Sequence, residues 1–174
     1  MYEGGKMGNR YEFRRIKQEE VNEMFHLIQE RMKWMDEKGI EQWNTAKYDE
    51  IYPLSYYEDE WRKGEIFVLY DTENRRIVSA AVLKEKDERW ENNKESAFYL
   101  HNFVAKIGEK GMGILFMKSA EEYAVKKGKL FFRLDSAENN DSLSRYYESQ
   151  GFLPVGKIKE GLYAGILREK KLQR

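Results

Sequence analysis

Residues 97–118 read AFYLHNFVAKIGEKGMGILFMK, and the fold turns on how this stretch is divided. Ala97 to Val104 is rich in aromatic and aliphatic side chains, the composition of a strand. Gly108, Gly111 and Gly113 follow within six residues. Beyond them Phe116, Met117, Ala120, Tyr123 and Ala124 occupy one face at helical spacing, and Lys126, Lys127 and Gly128 end the pattern. Strand, glycine loop and helix form an anion-binding geometry. The glycines let the backbone turn sharply, and the first amides of the helix have no intrahelical acceptors, so a phosphate or pyrophosphate suits the position. A plain structural turn is the alternative. The loop is not a nucleoside-triphosphate loop, because Ile114 and Leu115 stand where Lys and Ser or Thr are required. Nor does the order G-x-x-G-x-G match the dinucleotide fingerprint G-x-G-x-x-G.

Outward from this junction the chain alternates strands and helices. Downstream, Leu130 to Leu134 is a buried-looking strand, Asp141 to Gln150 a helix ended by Gly151, and residues 153–158 and 162–168 two closing strands. Upstream, Tyr11 to Ile16 reads as a short strand. Val21, Met24, Phe25, Ile28, Met32 and Met35 form the stripe of an amphipathic helix over 18–38, closed by Lys38 and Gly39. Residues 40–63 are aromatic-rich, with a short helix near 55–63. Glu65 to Tyr70 and Ile77 to Leu83 make an antiparallel hairpin about the polar turn DTENRR. The run KEKDERWENNKE, residues 84–95, reads as a solvated loop. The order gives an α/β (α+β) domain, a mixed sheet flanked by helices.

The 174 residues fit one domain over 10–174, preceded by a mobile polar tail at 1–9. Thirty-one basic residues balance 31 acidic ones, so no broad field favours nucleic acid or an anionic membrane. The longest apolar runs, such as Ile66 to Tyr70, are far shorter than the ~20 residues of a membrane span. Cysteine is absent, which removes disulfides, thiolate metal sites and cysteine nucleophiles. The N-terminus carries no apolar signal region, and a cytoplasmic location is expected. There is no G-x-S-x-G and no H-E-x-x-H, so serine and zinc hydrolysis lack their motifs.

A second segment, residues 139–152 with the sequence NNDSLSRYYESQGF, joins the glycine loop in one pattern. Strand, Gly108-x-x-Gly111-x-Gly113, helix, strand, then Asn140-x-x-Leu143-x-x-x-Tyr147-Glu148-x-x-Gly151-Phe152 resembles the two acetyl-CoA-binding motifs of the GNAT superfamily of N-acetyltransferases. The remaining elements fit that family's mostly antiparallel mixed sheet from about residue 11 to residue 170. One departure is plain: Gly108 stands where the family has Gln or Arg.

The resemblance implies roles for particular residues. Gly108, Glu109, Lys110, Gly111, Met112, Gly113 and Ile114 would hold the donor pyrophosphate, and the backbone of Phe103, Val104 and Ala105 would line the pantetheine arm. Asn140 would contact the pantetheine, while Leu143 and Tyr146 would flank the donor. Tyr147 would stand near the thioester sulfur and protonate the departing thiolate, and a backbone N–H near Phe103 or Val104 would stabilise the oxyanion. No metal is implied. A general base is also expected, because an ammonium must lose a proton before it attacks; His101 suits the task, with Asp135 as the other candidate. Trp43 and Trp90, with Tyr48 and Tyr52, fall in segments that border the acceptor in this family.

Each residue also has a plainer reading. Tyr147 and the aromatics could be core, His101 a satisfied strand histidine, and His26 a surface residue. The implied activity is acetyl transfer from acetyl-CoA to an amine of a small molecule, peptide or protein, with a non-catalytic acyl-CoA-binding module as the alternative. A homodimer is left open.

Overall fold

The computed structural model describes residues 10–91 and 94–173; the tail expected at residues 1–9 lies outside them. In chain order the elements are β1 (Tyr11–Arg15), a 3-10 turn (Gln18–Glu20), α1 (Val21–Lys38), α2 (Tyr48–Ile51), α3 (Leu54–Arg62), β2 (Ile66–Asp71) and β3 (Arg76–Lys84). Then follow β4 (Ala97–Ala105), α4 (Met112–Lys126), β5 (Phe131–Ala137), α5 (Asp141–Ser149), β6 (Leu153–Glu160) and β7 (Tyr163–Lys171). The strands form one sheet in the order β1-β2-β3-β4-β5-β7-β6. The β1/β2, β2/β3, β5/β7 and β6/β7 pairs are antiparallel, and β4/β5 is parallel. The mixed, mostly antiparallel sheet expected from the sequence is therefore present.

Residue contacts divide the chain into two compact units. One holds the described residues up to Val82 with Asn102–Ala120, the other Leu83–His101 with the described residues from Glu121 onward. In the first, α1 lays Val21, Met24, Leu27 and Ile28 against Ile66, Val68, Ile77, Ala80 and Val82 of the hairpin strands, with Tyr57 and Val104 in the same core. The period of the α1 stripe matches this buried face, and burial of each such side chain is worth about 1.5–3 kcal/mol. The start of the helix differs from the expected one. Residues 18–20 are a 3-10 turn, held where the Glu20 carboxylate accepts from the Lys17 amide at 2.9 Å and from Arg14.

The second unit packs Trp90, Ala97, Tyr99 and Leu167 together, with Phe132 and Phe152 fully buried. Here the reading of residues 84–95 as a solvated loop is corrected. Trp90 is 6% exposed, with its ring edge-on to Tyr99 at 5.7 Å, and Asp87 is buried. Arg133, itself buried, donates to Tyr99, Glu95 and Glu169 and lies over the Trp90 ring. One tryptophan and one satisfied ion-pair cluster thus anchor a segment whose composition is almost wholly polar.

Candidate functional site

In the first unit the glycine loop takes the form its sequence requires. Gly108 and Gly111 have φ of +85° and +82°, a left-handed conformation that costs an ordinary residue about 1–2 kcal/mol. A Cβ at either would meet nothing within 4 Å, so the loop backbone is open to a ligand. Gly113 differs: its Cβ would point at the Phe103 ring, in ordinary contact at 3.5 Å. The mouth of α4 is fixed from beneath, where Ser79 donates to the Met112 carbonyl at 3.1 Å and Phe116 packs between Phe13 and Phe103. Leu115 is the first residue of the helix to donate to a backbone acceptor, the Gly111 carbonyl, which leaves the amides of Met112, Gly113 and Ile114 at the open end. Glu109 pairs with Arg76 of β3, so a guanidinium stands at the loop. Lys110 and Ile114 are exposed. Val104 is core, and the Ala105 carbonyl is already taken by Arg31 at 2.7 Å.

Asn102 breaks β4 with φ +54°, a conformation Asn tolerates better than most residues. Its buried amide accepts from the Tyr56 hydroxyl at 2.8 Å and donates to the Tyr48 hydroxyl at 2.6 Å. These two tyrosines belong to a stair of rings, Trp43–Tyr48–Tyr52–Tyr56, with centroids 4.4–4.8 Å apart. Burial pushes the Tyr48 and Tyr56 phenols upward, so both remain donors at neutral pH. Sequence reading placed Trp43 and Tyr48 in this segment but missed Asn102, whose only signal was an Asn in an otherwise β-rich run. The β4/β5 ladder itself covers only Ala97–Tyr99 against Phe131–Arg133.

The second unit contains a hydrogen-bonded chain of five side chains. The Arg89 guanidinium donates to Asp87, to Asp135 Oδ1 at 2.8 Å and to His101 Nδ1 at 3.2 Å. Because a guanidinium carries only donors, Nδ1 must accept, which leaves the His101 Nε2–H to donate to Asp87 Oδ2 at 3.0 Å. In that tautomer neither ring nitrogen offers a lone pair to an incoming amine. Tyr163 donates to the other oxygen of Asp135 at 2.6 Å. Asp87, Arg89 and Tyr163 were not legible in the sequence, since charge alone does not reveal pairing.

Burial alone would raise the Asp87 carboxyl. The hydrogen bonds from His101 and Arg89 outweigh it and hold the group well below the usual carboxylate range. A depressed native pKa stabilises the fold above the unfolded value near 3.9, and that contribution fades as pH falls through the native value. Acid unfolding followed by circular dichroism should therefore show wild type losing stability relative to Asp87→Asn below about pH 4. Equal acid sensitivity of the two proteins would deny Asp87 this role.

Asn140 caps α5, its side-chain oxygen accepting from the Leu143 amide at 2.9 Å; replacing such a cap by Ala typically costs about 1 kcal/mol. Tyr147 is 7% exposed and sits between Tyr146 and Phe152 at 5.3 and 6.0 Å. Leu143 and Tyr146 are half-buried on the same helix. Trp90 lies in the core described above, whereas His26 is exposed and pairs with Glu30. Among the described residues no group of three or more potential ligands is arranged for a metal, and no helix is long and apolar enough to cross a membrane.

No protein-family model matches the sequence, and a search of curated proteins finds no match. Solved structures do match. A GNAT-family acetyltransferase from Listeria monocytogenes is 22% identical, with 93% of this chain and 95% of that chain covered and a TM-score of 0.76. One from Streptococcus agalactiae is 17% identical, with 94% and 96% covered and a TM-score of 0.78. The PaiA N-acetyltransferase from Thermoplasma acidophilum, solved in complex with coenzyme A, is 19% identical, with 92% and 98% covered and a TM-score of 0.71. The fold of this chain is that of the GNAT acetyltransferases.

Proposed function

We propose that the protein transfers an acetyl group from acetyl-CoA to an amine nitrogen. The observation that carries this reading is the mouth of α4: two left-handed glycines with open space above them, leading into a helix whose first amides lack intrahelical acceptors. These residues fit a pyrophosphate. Gly108, Glu109, Lys110, Gly111, Met112, Gly113 and Ile114 would hold it through backbone groups, and Arg76, brought to the loop by Glu109, would supply the cation that Gly108 lacks. Phe103 and Val104 would meet the pantetheine arm and offer a backbone N–H to the thioester oxygen. Asn140, Leu143 and Tyr146 would complete the donor site, and Tyr147 would give its proton to the departing sulfur. The acceptor would be a small-molecule or peptide amine, bordered by Trp43 and its aromatic neighbours. Trp90, packed against Tyr99 and Leu167, is a core residue of the second unit rather than part of that border.

Calorimetric titration with CoA tests the loop. Gly111→Val forces a β-branched side chain into a left-handed conformation and into the open space of the loop, and should weaken CoA binding at least about 10-fold, a loss of about 1.4 kcal/mol. Circular dichroism of Gly111→Val beside wild type establishes that the variant is folded. Wild-type affinity in Gly111→Val would overturn the assignment.

A further inference from the structure

Tyr163 has no place in the pattern that marks the donor site, yet its side chain is held with unusual precision. On β7, Tyr163 and Gly165 lie on the same face of the strand, and the tyrosine ring folds back over the glycine. A Cβ at Gly165 would lie 2.8 Å from the Tyr163 hydroxyl and ring edge, so only a bare backbone leaves room for this pose. The pose brings the hydroxyl to Asp135 Oδ2 at 2.6 Å, a length typical of a charge-assisted bond. The opposite oxygen of Asp135 is occupied by Arg89, which is fixed in turn by Asp87 and His101. The carboxylate therefore has one arm anchored and one arm directed at a phenol.

We propose that Tyr163 and Asp135 together accept the proton that the incoming amine must lose, a role that rests on the acetyl-transfer reading above. The phenol oxygen takes a proton from the ammonium nitrogen while its own O–H proton passes to Asp135. One N–H bond breaks, one O–H bond is exchanged at Tyr163, and one O–H bond forms on Asp135. The lone pair left on nitrogen then adds to the thioester carbonyl carbon as the C=O π pair moves to oxygen; collapse breaks the C–S bond, the sulfur takes the Tyr147 proton, the second proton on nitrogen passes to the Tyr147 oxygen, and Asp135 returns its proton to water between turnovers. An ammonium taken out of water is more acidic than one in bulk, which lowers the cost of the step. His101, with both ring nitrogens engaged, serves as a positioning residue in this arrangement.

The charged and titratable groups around the pair are Arg89, Asp87 and His101 on one side, Glu160 at 4.0 Å from Arg89, and Tyr147 of α5. Burial, then the Asp135 charge, raises the Tyr163 phenol, so at rest it holds its proton and can act only by exchange. Burial first, then Tyr146 and the same carboxylate, raises Tyr147. The amine's proton acceptor and the thiolate's proton donor thus share one counter-charge.

The test measures kcat/KM with acetyl-CoA and a panel of primary amines, read by thiol release from neutral to alkaline pH. CoA affinity is followed alongside by calorimetry. Tyr163→Phe keeps the ring over Gly165 and removes only the hydroxyl. It should lower kcat/KM about 100-fold at neutral pH, with the deficit shrinking as the free amine becomes abundant, and leave CoA affinity unchanged. Asp135→Asn should show the same pH-dependent deficit, and Gly165→Ala, which displaces the ring, should reproduce it in part. A deficit equal at every pH, or none, overturns the relay while acetyl transfer stands. A wild-type protein that binds CoA yet acetylates no amine overturns both readings.

Discussion

Replacing Tyr147 by phenylalanine should lower kcat about 100-fold while leaving the CoA dissociation constant and the melting temperature close to wild type. The ring remains in place, because its packing comes from Tyr146 and Phe152 and from the backbone of α5, whose Tyr147 carbonyl accepts from the Phe152 and Gln150 amides. Only the hydroxyl is lost. Burial first, then Tyr146 and Asp135, pushes that phenol above its ordinary range, so it carries its proton at working pH. General acids typically contribute about 100- to 10,000-fold, and the lower figure applies because a CoA thiolate is already a tolerable leaving group. Steady-state rates and CoA titration of Tyr147→Phe beside wild type decide the matter. Full kcat in the variant would remove the phenol from the chemistry. Joint loss of CoA binding and thermal stability would make Tyr147 a packing residue.

Tyr147→Phe and Tyr163→Phe, compared with each other, separate two proton transfers. A Tyr147 deficit should persist at high pH, since the thiolate needs a proton whatever the state of the amine. A Tyr163 deficit should fade there. The two tyrosines would then differ in when they act rather than in what they are, and the pH profile is the measurement that tells them apart.

What was legible in the sequence was whatever periodicity or backbone geometry forces. The α1 stripe, the hairpin about residues 71–76 and the glycine-to-helix junction all follow from side-chain spacing and from positions where a Cβ is costly. Side-chain pairing is not encoded that way. Asp87 and Arg89 look like any other charges in a polar run, and only the shape of the fold brings them to His101 and Asp135. Trp90 was the one local sign that the run packs. Asn102 is similar: its left-handed backbone is stabilised by two tyrosine hydroxyls 46 and 54 residues away in the chain, information no window around residue 102 contains. Gly165 reads as an ordinary strand glycine until the Tyr163 ring is seen lying over it.

Phe152 carries the largest stability effect expected in the second unit. It is fully buried, edge-on to Phe132 at 6.0 Å and to Tyr147 at 6.0 Å, and its carbonyl accepts from the buried Arg168. Its amide closes the end of α5 on the Tyr147 carbonyl at 3.0 Å. Truncation to alanine removes a whole ring from a site bordered by the Phe132 ring, the Tyr147 ring and the Lys170 ammonium over its face. Such Phe→Ala changes cost about 3–5 kcal/mol, which for a chain of this size corresponds to a fall in melting temperature of about 6–20 °C. On the proposed role of Tyr147, the loss reaches function through that residue, which would keep its hydroxyl but lose the ring packed against it. Phe152→Ala should therefore show reduced kcat even at temperatures where circular dichroism reports a folded protein, and Phe152→Leu, which refills most of the space, should recover much of both. If Phe152→Ala melts within a degree or two of wild type, the site has collapsed around the gap and the ring is not what holds α5 in place.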